Sequence, residues 1–169
     1  MPSARHRDSE GQSITIEPAR IRLISSTEAS RDDGRFVLYW IQQAQRASFN
    51  PALESAIAEA NKRGLPVLVG FGLTDAYPEA NERHYAFMLE GLVEVRETLS
   101  KRGIGFVIRH GTPDAVAIAL AREGAALVVC DRGYLRHQIA WRRHVAEEAG
   151  CRVVEVETDV VVPVAIASP

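Results

Sequence analysis

A cluster of side-chain amides and one guanidinium follows the aromatic stretch FVLYW at residues 36–40. Gln42, Gln43 and Arg46 stand close together in the next few positions. Amides both donate and accept hydrogen bonds and a guanidinium donates several, so the group suits the edge of a polar heterocycle or a phosphate. None of these side chains is an acid, base or nucleophile of ordinary reactivity, so the pattern favours binding over catalysis. The alternative is that they only solvate a loop and cap a helix.

Motifs that carry catalysis or nucleotide binding do not occur in the sequence: there is no phosphate loop GxxxxGK[ST], no HExxH and no GxSxG. The stretch GFGLTD at 70–75 resembles a GxGxxG turn, but it follows the second predicted strand and Asp75 replaces the third glycine. His137 and His144 are two helical turns apart, too distant to share a metal without a third ligand, so we expect solvated histidines. The residues alone indicate no reaction centre.

Strand and helix patterns alternate along the chain, which predicts parallel strands joined by right-handed crossovers. Short apolar runs rich in Val, Ile and Phe predict five strands, at 36–40, 66–71, 104–109, 126–130 and 152–157. Amphipathic patterns with capping signals predict four helices, from Pro51 to Gly64, about Asn81 to Arg102, Thr112 to Gly124 and Arg136 to Gly150. We therefore expect an α/β fold, a Rossmann-like doubly wound sheet of five parallel strands in the order 3-2-1-4-5 with helices on both faces.

Composition and charge describe one ordinary domain. The chain has 169 residues, of which 46% are hydrophobic, and a net charge of −2, so it can bury a core but has no global basic surface for nucleic acid. No apolar run reaches the roughly 18 residues of a membrane span, and no signal-type segment is present, so we expect a cytoplasmic protein without membrane contact. Cys130 and Cys151 form no CxxC motif and are expected to be buried, reduced thiols.

Three further expectations concern particular segments. Residues 1–19 are polar and are expected to form a flexible tail, whereas RIRLIS at 20–25 is expected to form an arm along the domain. The domain itself is expected to span residues 20–169. The longest predicted helix carries one apolar face, formed by Tyr85, Met88, Leu89, Leu92, Val95 and Leu99.

The predicted strand order also predicts where a ligand binds. In doubly wound sheets the binding crevice lies beyond the carboxyl ends of the strands, where the strand order reverses. With the first predicted strand in the centre, this crevice lies between the loops that follow the first and fourth strands. The amide cluster follows the first strand, and Asp131 and Arg132 follow the fourth. We expect these two groups to face one crevice.

Long stretches of the chain resemble the amino-terminal domain of class II cyclobutane pyrimidine dimer photolyases. The resemblance rests on VLYWIQQAQRASFNPALESAIAEAN, LPVLVGFGLTDAYPEANERHYAFMLEGLVEV and RGIGFVIRHG, and it continues through VVCDRGYLRHQIAWRRHVAEEAGCRVVEVETDVVVPV. It covers about residues 20–166 and includes an acidic residue after the fourth strand and a closing DxxVPV.

The resemblance implies that the full-length protein has two domains with different functions. Members of the family join this Rossmann-like domain to a helical carboxy-terminal domain that holds flavin adenine dinucleotide (FAD) and the groove for damaged DNA. The chain ends at Pro169, where the linker would begin, so we expect the FAD domain to be absent and carry over no catalytic residue. The implied partners are that helical domain and, only through it, damaged DNA. The face that meets the helical domain is expected to be apolar and to favour self-association.

The resemblance further implies a light-harvesting role, with an antenna chromophore of the deazaflavin, flavin or folate type. Such a site needs polar contacts at the ring edges and apolar contacts on the ring faces, and no acid or base. The expected contact residues are Trp40, Ile41, Gln42, Gln43, Arg46, Phe71, Gly72, Leu73, Asp131 and Arg132. The alternative is a stand-alone nucleotide-binding module of the universal stress type, although its Gly-rich phosphate loop is matched here only by Gly133 of DRGYLRHQ.

Overall fold

A computed structural model describes residues 16–26 and 31–167 of the chain. One six-stranded sheet has the order β1-β6-β5-β2-β3-β4. Its strands are β1 (Ile21–Leu23), β2 (Phe36–Trp40), β3 (Val67–Leu73), β4 (Gly105–His110), β5 (Ala125–Asp131) and β6 (Arg152–Val156). The helices are α1 (Pro51–Arg63), α2 (Glu82–Lys101), α3 (Pro113–Arg122), α4 (Arg136–Glu148) and the short α5 (Val164–Ala167), and a 3-10 turn spans Pro18–Arg20.

The α/β class and the order of the five parallel strands are confirmed, but the predicted strand count is wrong. β1 is a sixth strand, which pairs antiparallel with β6 so that Ile21 lies opposite Val156 and Leu23 opposite Val154. The sequence RIRLIS predicts only an arm, because three residues with two exposed side chains do not show the apolar run of a buried strand. β1 is a strand because its backbone pairs with the edge of β6, and the side-chain pattern does not predict this pairing.

Each face of the sheet carries its own core. Side chains alternate along β2, so Val37 and Tyr39 face one core while Leu38 and Trp40 face the other. The first core contains residues of α1 and α2, and the second contains residues of α3 and α4. β2 is buried along almost its whole length because it lies between β3 and β5 in the middle of the sheet.

The helix ends follow the capping signals of the sequence. The Asn50 side chain accepts a hydrogen bond from the Leu53 N–H at 3.0 Å, and α1 stops at Gly64, whose φ of 65° is left-handed. At the start of α2, the Asn81 side chain accepts from the backbone N–H groups of Arg83 and His84. His84 Nδ1 in turn accepts from the Asn81 N–H at 3.1 Å, so this histidine closes a capping box.

The predicted apolar face of α2 is only half buried. Leu92, Val95 and Leu99 are buried, whereas no residue of α2 before Leu92 is buried. Leu89 is 41% exposed, and Tyr85 and Met88 are only partly covered. The first half of α2 therefore stands beside an open space rather than on the sheet.

Most of the expected tail lies outside the described residues, since residues 1–15 are not among them. Ile16 packs against the first core, and the 3-10 turn follows directly. Both cysteines are buried and free, as expected. None of the described helices is both long and apolar enough to cross a membrane.

Candidate functional site

A cavity of about 730 Å³ opens at the carboxyl ends of β2 and β3. The loop after β2 forms one side, the first half of α2 forms another, and α4 contributes Gln138 and Trp141. Seven of the ten predicted binding residues line it, namely Ile41, Gln42, Gln43, Arg46, Phe71, Gly72 and Leu73. Gly72 is required here because a Cβ would lie 2.6 Å from Pro113 Cα, and Pro113 also lines the cavity. The amide cluster and the end of β3 are thus brought together.

Asp131 does not line this cavity but fixes the loop that does. Its Oδ2 accepts hydrogen bonds from the backbone N–H groups of Gln42, Gln43 and Ala44 at 2.9, 3.1 and 3.2 Å. Its Oδ1 accepts from the Tyr39 hydroxyl at 2.7 Å. The carboxylate is fully buried and caps three successive loop amides, so it is a positioning residue rather than the expected ligand contact.

A buried polar network extends from this carboxylate to the start of α1. Tyr39 Oη accepts from Asn50 Nδ2 at 2.9 Å, and the same amide donates to the carbonyls of Ala44 and Arg46. Burial raises the pKa of Asp131, against the hydrogen bonds it accepts, and burial together with the neighbouring carboxylate raises the pKa of Tyr39 well above its usual range. Tyr39 therefore stays protonated as a donor, and the loop after β2 is held at both of its ends.

Arg46 reaches the cavity wall, but its guanidinium is bound elsewhere. It donates to the Phe49 carbonyl at 3.2 Å, to the Thr158 carbonyl at 2.8 Å and to Asp159 Oδ1 at 3.0 Å. These bonds tie the loop after β2 to the segment after β6. Arg46 thus braces the cavity, and its charge is already paired.

Two more predicted contacts face away from the cavity. Trp40 is 1% exposed and belongs to the second core, because the alternation of β2 directs it to the opposite face from Tyr39. The Arg132 N–H bonds to the Val156 carbonyl, and its guanidinium lies 3.4 Å from Glu155 and 3.9 Å from Glu157. Neither side chain therefore lines the cavity: strand alternation places Trp40 on the opposite face of the sheet, and Arg132 lies toward β6, whereas the cavity opens toward β3 and α2.

Sequence reasoning missed the residues that close the cavity from the helices. These are Tyr77, Tyr85, Phe87, Met88 and Gly91 from the α2 side, and Gln138 and Trp141 from α4. The sequence contains one sign of this. The predicted helix is longer than any predicted strand, so the bulky residues in its first half extend beyond the sheet that could cover them. Their apolar face is the wall of a cavity instead of part of the core.

An aromatic cluster stands at the α4 wall. The rings of Tyr77 and His137 meet edge to face at 4.9 Å, as do those of His137 and Trp141. Tyr77 and Trp141 lie 6.0 Å apart and both line the cavity. Such packing fixes the orientation of the rings, so this wall offers a planar ligand a rigid apolar surface.

The site has the composition of a small-molecule binding pocket. Its walls are mainly aromatic and aliphatic, with glutamine amides near the end of β2. Within the described part of the chain, no group of three or more His, Cys, Asp or Glu residues is placed to hold a metal ion. Such a pocket can hold an apolar ring and orient its polar edge.

Comparison with solved structures shows the fold. A universal stress protein in complex with cAMP superposes with a TM-score of 0.51 at 18% identity, covering 75% of this chain and 99% of that one. A functionally unknown protein of Pseudomonas aeruginosa gives a TM-score of 0.56 at 15% identity, covering 82% of this chain and 52% of that one. These superpositions show a shared Rossmann-like architecture. Because the identities are so low, they say nothing about the function of this chain.

Comparison of sequences shows the family. The family model described as DNA photolyase matches residues 37–168. A deoxyribodipyrimidine photo-lyase of Methanothermobacter thermautotrophicus is 42% identical over 153 residues, which are 90% of this chain and 34% of that protein. One of Potorous tridactylus is 35% identical over 152 residues, 88% of this chain and 29% of that protein. The chain spans about a third of the length of these relatives, and it belongs to the DNA photolyase family.

Proposed function

We propose that residues 20–169 form the antenna-chromophore-binding and scaffolding domain of a class II deoxyribodipyrimidine photolyase. The observation that carries this proposal is the cavity at the ends of β2 and β3, which combines rigid aromatic walls with side-chain amides. Light harvesting requires a planar ring held without motion and needs no acid, base or nucleophile. The rigid aromatic walls of the cavity meet the first requirement.

The residues present fit a ring of the flavin, deazaflavin or folate type. A volume of about 730 Å³ falls inside the range of about 300–1,000 Å³ in which proteins bind small molecules and cofactors. Phe71, Met88 and Trp141 offer apolar surface for the ring faces, and the exposed Gln43 offers an amide for the ring edge. Gly91 leaves additional room, since a Cβ there would meet no protein atom within 4 Å.

The chain's own residues would hold such a ring and exclude water from it. The bound chromophore supplies absorption of light and an excited state that can pass its energy to an acceptor. Asp131, Tyr39 and Asn50 keep the loop after β2 in one conformation, so the ring edge would meet a preformed site. Rigid placement matters because energy transfer depends on the distance and relative orientation of the two chromophores.

For the whole protein we propose light-driven repair of pyrimidine dimers, with this domain seated against a helical domain that binds FAD and damaged DNA. The relatives extend well beyond the region matched here, which leaves room for such a domain. Large apolar side chains at the surface, with Phe49 95% exposed, Val161 93% exposed and Phe87 80% exposed, are available for contacts with such a domain. By this proposal the domain alone catalyses no repair.

Absorption and fluorescence titration of the purified chain test the proposal. We would titrate 8-hydroxy-5-deazariboflavin, flavin mononucleotide and a reduced folate, and compare wild type with Gly91→Leu, which places a side chain at the cavity wall. Ala86→Leu is the matched control, because Ala86 is an exposed residue of the same helix that does not line the cavity.

The proposal predicts saturable binding of at least one ring in a 1:1 ratio, lost in Gly91→Leu and kept in Ala86→Leu. Binding that survives Gly91→Leu unchanged would place the ring elsewhere. If none of the three ring types binds at concentrations well above the micromolar range, the antenna role is wrong.

A further inference from the structure

Two segments that contain neither helix nor strand meet beside the cavity. The first is the loop after β2, residues 41–50, of which several positions line the cavity, namely Ile41, Gln42, Gln43, Gln45 and Arg46. The second is residues 157–163 between β6 and α5, which we call the exit segment because it leads from the sheet to the carboxyl end of the matched region. No residue of the exit segment lines the cavity.

The Arg46 side chain joins the loop to the exit segment. Its Nη2 donates to the Thr158 carbonyl at 2.8 Å and its Nη1 donates to Asp159 Oδ1 at 3.0 Å. Its Nε donates to the Phe49 carbonyl at 3.2 Å, which lies within the loop itself. Because the guanidinium is planar and all three of its nitrogens are engaged, one group fixes both segments in one geometry.

On the cavity side, the backbone of Arg46 belongs to the network that shapes the cavity. Asn50 Nδ2 donates to the Arg46 carbonyl at 2.9 Å and to the Ala44 carbonyl at 3.0 Å. The Ala44 N–H in turn donates to Asp131 Oδ2 at 3.2 Å. A ligand that packs against the loop restricts this backbone, and the restriction extends to the Arg46 guanidinium.

On the other side, side chains hold the exit segment in place. Arg20 donates to the carbonyls of Val160 and Val161 at 2.8 and 2.6 Å. The pair of Arg46 and Asp159 is partly open to water, with the two side chains 39% and 29% exposed. A segment held by a few partly solvated bonds opens locally at a low free energy. The strength of the Arg46 anchor therefore affects how often the exit segment opens.

We infer that Arg46 is a positioning residue that couples the cavity to the exit segment. A ring in the cavity orders the loop after β2, and through Arg46 it orders the exit segment as well. Coupling between two sites is reciprocal, so whatever fixes the exit segment also strengthens binding in the cavity. This inference rests on the proposed function, to which it adds a link between chromophore binding and the seating of this domain on the rest of the protein.

The surface beside Arg46 suits such a link. Phe49, whose carbonyl accepts from Arg46, is 95% exposed, and Val161, two residues after Asp159, is 93% exposed. A helical domain that covers these two side chains would remove water from the Arg46–Asp159 pair, and ion pairs are stronger where the effective dielectric constant is lower. Binding of the chromophore and docking of that domain would thus favour each other.

Hydrogen exchange of the full chain, with and without 8-hydroxy-5-deazariboflavin, tests the coupling. Flavin mononucleotide or a reduced folate replaces this probe if one of them is the ring that binds. The reporters are the backbone N–H groups of residues 157–167, none of which lines the cavity. Arg46→Met keeps an unbranched apolar side chain and removes the guanidinium, whereas Asp159→Ala removes one of its partners and changes no residue of the cavity wall.

Glu148→Ala is the matched control. It breaks the pair of Arg122 and Glu148 at 2.7 Å, which is also exposed to solvent and joins the ends of α3 and α4. Neither of these two residues lines the cavity. The control therefore removes an arginine–carboxylate pair of the same kind without touching the loop or the exit segment.

We expect the ring to slow exchange at residues 157–167 about fivefold in wild type, the lower end of the usual range for coupled sites, and to leave it unchanged in Arg46→Met. By reciprocity, Asp159→Ala should bind the ring about twofold to fivefold more weakly than wild type. Adding Asp159→Ala to Arg46→Met should weaken binding no further, because both changes remove the same link. Glu148→Ala should match wild type in affinity and in protection.

Four results would overturn the inference. If the ring binds and exchange at residues 157–167 does not change, the cavity and the exit segment are independent, while the antenna role stands. If protection persists in Arg46→Met, or if Asp159→Ala binds as tightly as wild type, Arg46 does not carry the coupling. If Glu148→Ala loses as much affinity as Asp159→Ala, the effect is one of overall stability. If wild type binds none of the three rings, the proposed function fails and this inference fails with it.

Discussion

Removal of the Asp131 carboxylate should loosen the loop that forms the cavity and destabilise the whole domain. In Asp131→Ala, the Tyr39 hydroxyl and the N–H groups of Gln42, Gln43 and Ala44 all lose their acceptor. Tyr39 and Ala44 are 0% and 1% exposed, so at least their two donors cannot turn to water without local opening. At about 1–3 kcal/mol for each buried unsatisfied donor, and with some recovery from the desolvation of the lost carboxylate, we expect a net loss of about 3 kcal/mol.

The isosteric change Asp131→Asn should cost less, for a reason specific to this network. The amide oxygen can take the place of Oδ2 opposite the three backbone N–H groups. The amide nitrogen then faces Tyr39 Oη, which already accepts from Asn50 Nδ2 at 2.9 Å, so the tyrosine hydroxyl proton has no acceptor. One unsatisfied buried hydroxyl corresponds to about 1–2 kcal/mol. Tyr39→Phe removes that proton, so adding it to Asp131→Asn should cost less than the sum of the two single changes.

Urea unfolding of the full chain, followed by tryptophan fluorescence, measures these differences. The predicted order of stability is wild type, Asp131→Asn, Asp131→Ala, and titration with 8-hydroxy-5-deazariboflavin should give the same order of affinity. Ala86→Leu is the control, since Ala86 is an exposed residue of α2 that does not line the cavity. Surface substitutions ordinarily change the free energy of unfolding by no more than about 0.5 kcal/mol. If the value for Asp131→Ala lies within that range of wild type, the buried carboxylate does not stabilise the loop as described.

Three other predictions concern α2, the α3–α4 pair and the activity of the isolated chain. Gly91→Ala should raise the free energy of unfolding by about 0.5–1 kcal/mol, because alanine is the better helix former and its Cβ meets no protein atom within 4 Å, and a loss of stability in urea would contradict this. His144 Nδ1 donates a hydrogen bond to Asp114 Oδ2 at 2.8 Å, and this bond, helped by the charges of Asp114, Glu147 and Glu148, raises the pKa of His144 above 6.5. The charged pair should therefore contribute its full stability at pH 5.5 and progressively less as the pH rises through that raised pKa. The stability difference between wild type and His144→Asn should therefore be larger at pH 5.5 than at pH 8.5, and a difference independent of pH would show that the pair is not charged as described. Illumination of the purified chain with dimer-containing DNA and a reductant should give no repair above background, and light-dependent repair would mean that the chemistry lies within this domain.

Most of the fold could be predicted from the sequence because its parallel strands are buried on both faces. The runs at 36–40 and 126–130 show this directly, since β2 and β5 occupy the middle of the sheet. The helix ends could also be predicted from the sequence, because the capping residues Asn50, Gly64 and Asn81 act through the local backbone geometry. β1 was not predicted as a strand, because its order comes from pairing with a distant segment rather than from its own side chains.

The candidate site was only partly predictable, for a different physical reason. Residues that follow β2 and β3 reach the cavity because the chain leaves the sheet there, and position in sequence is sufficient to place them. Asp131 is the last residue of β5, but its carboxylate lies under the neighbouring loop and accepts hydrogen bonds from three backbone N–H groups. Which side a polar residue faces depends on the partners that the fold brings to it. The contributions of α2 and α4 depend in the same way on helix packing.

A crystal structure of the chain grown with 8-hydroxy-5-deazariboflavin tests most directly whether this cavity is a chromophore site. Electron density is expected for one planar ring in the cavity between the end of β3, α2 and Trp141. A ring bound elsewhere on the domain, or a cavity without a ring in crystals held at saturating ligand, would contradict the claim that this cavity is a chromophore site.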